Sequence, residues 1–140
     1  MENIKNVFIS IFAVIGGVVV GLLGGWDIAL KSLLVFMIID FLTGLCVAFV
    51  FKKSMKTDNG GLQSNICLKG IFKKCAILLA VVIATRLDQL MGGTAVCRTT
   101  VIFFFIGNEG LSIMENLGIM GAPIPKVLRD ALEVLKKEKN

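Results

Sequence analysis

The sequence predicts an all-α integral membrane protein: four transmembrane helices, alternatively three, followed by a short cytoplasmic amphipathic helix, in one domain over residues 1–140. Three observations predict it. The chain is 56% hydrophobic, with a mean hydropathy of +0.85. Its apolar residues gather into separate runs near the length needed to cross a bilayer, about 20 residues. Its lysines gather between and after those runs rather than within them. A soluble domain of this size carries much less apolar residue and more charge.

The first run, 7–23, follows Lys5 and continues into Gly24-Gly25-Trp26-Asp27 instead of a small-residue cleavage site, so it is expected to be a retained span or signal anchor. If it only lies on the membrane, three spans remain. The second run, 30–51, holds one acid, Asp40. The third, 75–90, is short and carries Arg86 and Asp88 near its end. The fourth, 99–120, is the most polar. Pro123 and Pro125 then end helical structure, because proline lacks a donor and restricts the residue before it. Beyond them, 126–139 has Leu128, Ala131, Leu132 and Leu135 at helical spacing, and Glu133 four residues before Lys137.

Charge sets the expected orientation. Lys52, Lys53, Lys56, Lys69, Lys73 and Lys74 lie between the second and third runs, against Asp58. The tail adds Lys126, Arg129, Lys136, Lys137 and Lys139. By the positive-inside rule both belong to the cytoplasm, which puts the C-terminus on the cytoplasmic side of the membrane. The lysine-rich stretch lacks arginine and stacking aromatics, so it is read as a topology and lipid-contact signal, with no nucleic-acid partner.

Three constellations are candidates for function. Gly17, Gly21 and Gly25, four apart, are helix-packing candidates, since glycine at this spacing lets a second backbone approach. Asp40, Thr43 and Gly44 share one face of the second run. In the fourth, Arg98 and Glu109 are three turns apart and share a face to within about 20°. Asn108, Ser112, Glu115 and Asn116 fall on or near it. A carboxylate at mid-bilayer costs about 2.5–3.5 kcal/mol, so Asp40 and Glu109 must face protein, water or a counter-charge. The stripe either seals against other helices or lines water when copies assemble. The second is preferred, because four short helices offer little room to hide so many polar groups. Asp40, Thr43, Arg98, Asn108, Glu109, Ser112, Glu115 and Asn116 are therefore the pore or polar-face candidates.

Other chemistry has little footing. With no histidine, and no Ser or Cys beside an evident base, nucleophilic catalysis is not expected. Cys46, Cys67, Cys75 and Cys97 include no C-x-x-C pair, so neither a metal nor a cofactor is expected.

Several of these residues carry a resemblance. Gly24-Gly25-Trp26-Asp27 precedes a span with Asp40, Thr43 and Gly44. Lys69-Gly70 leads to Lys73-Lys74. Arg98-Thr99 leads to Phe103-Phe104-Phe105-Ile106-Gly107-Asn108-Glu109-Gly110, Ser112-Ile113 and Glu115-Asn116, then Pro123-Ile124-Pro125. Over about residues 16–137 the chain resembles the toxin-secretion and phage-lysis holins, of the clostridial phage type. The resemblance implies a homo-oligomer that opens lesions in the cytoplasmic membrane and releases an endolysin, a cell-wall hydrolase, or a large toxin. Two alternatives stand beside it. One is a small proton-coupled transporter, although the first run lacks the buried acid such carriers place there. The other is an antiholin or a membrane adaptor acting through the C-terminal helix.

Overall fold

The structure is a computed structural model that describes residues 1–52, 61 and 63–137. Within them the chain forms five helices: α1 (Glu2–Leu22), α2 (Ile28–Phe49), α3 (Ser64–Leu90), α4 (Val96–Ile119) and α5 (Lys126–Lys137). There is no strand among the described residues. Three of the helices, α1, α2 and α4, are long and apolar enough to cross a membrane.

Helix α3 departs furthest from expectation. It spans 27 residues and begins eleven residues before the expected 75. Lys69, Lys73 and Lys74 therefore belong to a helix rather than a loop. Its inward face explains the extension: Gly70, Lys74, Ile77, Val81, Ala84 and Asp88 recur at steps of three or four. The helix is held by its apolar and small residues, and its lysines ride on it. Lys53, Lys56, Asp58 and Lys139 lie outside the described residues.

The core lies between α2, α3 and α4. Leu30, Leu33, Met37, Ile77, Val81, Ile102 and Ile106 are buried together with Leu23. Helices α2 and α4 run parallel, since Asp27 meets Arg98 near their starts and Asn116 meets Thr43 toward their ends. Helix α3 runs antiparallel to both: Lys74 reaches Glu109, while Asp88 reaches the start of α4.

Helix α1 has no buried residue. It ends at Leu22, so the expected 7–23 run stops short of Gly25. Gly25 sits at φ +103° in the turn to α2, off the helical face that it was expected to share with Gly17 and Gly21. A side-chain carbon at any of the three would meet nothing within 4 Å. Helix α5 folds back along α4 after Gly121 and the proline pair. Its Leu132 packs into the gap over Gly110, beside Ile113, Met114 and Phe36.

Candidate functional site: a buried polar spine

Three polar residues of α4 project inward in line. Arg98, Glu109 and Asn116 repeat near multiples of a helical turn, and all are buried. Each finds its partners within the chain.

Glu109 is 1% exposed. Lys74 of α3 reaches across to it and, at 2.8 Å, to Asp40 of α2. One ammonium thus bridges two carboxylates from two other helices. A buried charge is tolerable only when paired and hydrogen-bonded. In the sequence Lys74 stands as a topology signal and as part of the Lys73-Lys74 motif, without a partner assigned to it. The clue in the sequence was its place on the inward face of α3, set back from Ile77 and Val81. A cleft of about 130 Å³ adjoins this bridge, and Asp40, Gly44, Lys73, Lys74, Glu115 and Asn116 are among its walls.

Arg98 organises the opposite end. Its guanidinium donates to Asp27 at 2.6 and 3.2 Å and to the carbonyls of Leu23 at 2.6 Å and Gly25 at 3.2 Å. The carbonyls at the end of α1 lack helical partners, and Arg98 supplies them. Asp27 also caps α2 by accepting from the Leu30 N–H. Its carboxyl is held below the usual carboxylate range, chiefly by the Arg98 hydrogen bond, with help from the Leu30 amide and against the pull of burial. Gly24 is required here. It adopts φ +84°, and a Cβ would lie 2.5 Å from the Arg98 Nε. Asp88, at the end of α3, accepts from the Cys97 and Arg98 backbone N–H groups at 2.8 Å each. It thereby caps α4, whose own N-cap, Ala95, has no side-chain acceptor.

The third element is smaller. Asn116 donates to the Thr43 hydroxyl at 3.0 Å, and that hydroxyl donates in turn to the Ile39 carbonyl at 2.9 Å.

The pore or polar-face candidates therefore divide. Asp40, Thr43, Arg98, Glu109 and Asn116 come together inside the single chain, where the stripe seals against α2, α3 and the α1–α2 turn. Glu115 is exposed, and Asn108 and Ser112 are half-buried on the flank of α4. The room judged insufficient is provided by the early start of α3, which brings its own cation. Asp27 and Asp88 were noted as part of a motif and as a polar end, but their roles as clamp and cap require long-range pairing. The four cysteines are free, and among the described residues no group of His, Cys, Asp and Glu is arranged to hold a metal ion.

A sequence profile described as the bacteriophage holin family matches residues 17–137. The chain belongs to the bacteriophage holin family. It is 41% identical over 140 residues to an uncharacterized 14.9 kDa protein from the nagH 3′ region of Clostridium perfringens, covering 99% of this chain and 100% of that one. It is 36% identical over 109 residues to a probable holin of Bacillus phage phi105, covering 78% of this chain and 75% of that one. It is 37% identical over 110 residues to the uncharacterized protein YqxH of Bacillus subtilis, covering 79% and 73%. No solved structure matches. The family match includes the Gly24–Asp27 turn, the Asp40–Lys74–Glu109 bridge and α5, but begins only at the last third of α1.

Proposed function

We propose that this holin acts by assembling into homo-oligomeric lesions in the bacterial cytoplasmic membrane, through which a cell-wall hydrolase or a large toxin leaves. The observation that carries the reading is the holin-family match over a chain whose spine is ion-paired within itself. A unit that hides its ionic groups can accumulate in a membrane without leaking. Glu109 and Asp40 then serve to hold the unit together, and Asn108, Ser112 and Glu115 are the part of the stripe left for contacts with water or neighbours.

The unit crosses the membrane four times in this proposal. Helices α2 and α4 run parallel, so if both span, the chain between them must cross back. Only α3 lies there. Its outer face carries Leu79, Ile83, Leu87 and Leu90, all exposed, as lipid contact requires. Lys74, which lowers its apolar character, is neutralised by two acids. Trp26, exposed at the α1–α2 turn, suits an interfacial position. The starts of α3 and α5 then lie toward the cytoplasmic side. Helix α1, whose glycine face is open, is the element through which copies associate.

Controlled expression in a bacterium tests this reading. Induction is expected to collapse the membrane potential and to release a co-expressed endolysin. Neither event, with the protein present in the membrane, overturns it. Drug efflux without lysis would point to a transporter instead.

A further inference from the structure

Helix α5 poses a physical problem. Leu132 sits against Gly110, where a Cβ would come within 2.6 Å of its methyl, and against Phe36 of α2. Leu135 packs on the cluster that contains Ile106 and Met37. Gly110 lies nine residues before the end of α4, about 14 Å along the axis. Helix α5 thus returns to the middle depth of two helices that are themselves long and apolar enough to span.

The inner face of α5 is apolar, but its outer face is not. Going round the helix, Arg129, Glu133, Lys126, Lys137 and Asp130 form one continuous polar sector. Arg129, Asp130 and Lys137 are exposed, and Glu133 is paired with Lys137 only at 3.7 Å. Val127 and Val134 border that sector on one side and are exposed as well. Charges at this depth are costly against acyl chains, and Glu133 and Lys137, on the far half of α5, lie deepest along α4. The spine of α4 needs no water, because its charges are satisfied inside the chain.

We propose that the charged outer face of α5, rather than the stripe of α4, borders the water-filled interior of the assembled lesion, with α5 remaining docked on α4. This inference rests on the lesion-forming reading above. Each copy then presents lipid with the apolar flanks of α1, α2 and α3 and presents water with α5.

The test uses the full chain with its four native cysteines replaced. Leu132→Cys and Met114→Cys, joined by a short bis-maleimide, report docking. In separate variants a nitroxide is placed at Asp130→Cys or Lys137→Cys, with Ile38→Cys as the lipid-facing reference. The tethered protein is reconstituted at high density, and collisions are measured with a water-soluble nickel chelate and with oxygen. The chelate is expected to reach the α5 positions more often than position 38 by roughly ten-fold or more, the contrast that hydrocarbon imposes on a polar probe. Two results overturn the proposal: oxygen-dominated collisions at Asp130 and Lys137 in the tethered form, or failure to tether because α5 lies elsewhere, on the membrane surface. Permeability to a fluorescent dye is recorded in parallel. Docked, water-facing α5 in vesicles that do not leak would retain the placement and reject the lesion-forming reading.

Discussion

Replacing Lys74 by methionine is the sharpest perturbation of this fold. Methionine keeps the unbranched stem and the volume but removes the ammonium that bridges Asp40 and Glu109. Both carboxylates are buried, and Glu109 is almost wholly so. Removing one partner of a buried ion pair costs about 3–5 kcal/mol, because the remaining charge has lost its compensation. Here two acids are left facing each other, so the loss is expected at the upper end, a large share of the roughly 5–15 kcal/mol that holds a typical domain together. The assay is equilibrium unfolding of the purified protein in bicelles by graded SDS, followed by far-UV circular dichroism. Neutralising the acids in the same chain (Asp40→Asn with Glu109→Gln) is expected to restore most of the loss, since amides carry no uncompensated charge. Glu109→Leu alone should be gentler on stability, because Lys74 and Asp40 then pair one to one. It should still delay lysis while insertion persists, and normal lysis timing would remove Glu109 from the mechanism. The reasoning is refuted if Lys74→Met unfolds with the wild type, or if the neutralised triple variant is no more stable than Lys74→Met.

Three further outcomes are expected. Asp27 has a lowered carboxyl pKa, so in the acid range the unfolded chain binds more protons than the folded one; stability is full above the ordinary carboxylate pKa and declines as pH falls through the lowered value. Thermal unfolding measured from neutral pH downward should show this decline in the wild type and a flatter acid limb in Asp27→Asn. Gly24→Ala should destabilise the protein by about 1–3 kcal/mol through left-handed backbone strain, and further by pushing Arg98 off its carbonyl partners; unchanged unfolding would reject the turn described here. Gly21→Leu should weaken the ladder of cross-linked oligomers without affecting the fold, because nothing in the chain packs on that position, and an unaltered ladder would take α1 out of the association surface.

Much of the architecture was legible in the residues themselves. Spans α1, α2 and α4 are announced by long apolar runs, because lipid demands continuous hydrocarbon and internal hydrogen bonding. The start of α5 follows from Pro123 and Pro125, and its apolar face follows from a local period. That Arg98, Glu109 and Asn116 share one side of α4 is a matter of helical arithmetic. Such features depend on neighbours a few residues apart, so sequence determines them.

What the spine does was decided elsewhere. Asp40, Lys74 and Glu109 lie more than thirty positions apart in the chain. Arg98 is 71 residues from Asp27, and Asn116 is 73 from Thr43. Whether a charge at mid-depth meets an opposite charge or water depends on the rotation and register of packed helices, which no local period encodes. The early start of α3 was hidden for the same reason: Lys69, Lys73 and Lys74 look like a solvated linker until Ile77 and Val81 find their places beside α2 and α4. The return of α5 along α4 likewise required the meeting of Leu132 with Gly110. Hydrophobicity and helical period set which segments enter the membrane, and only the pairing of distant ionic groups in a low-dielectric interior decided which of them could be hidden.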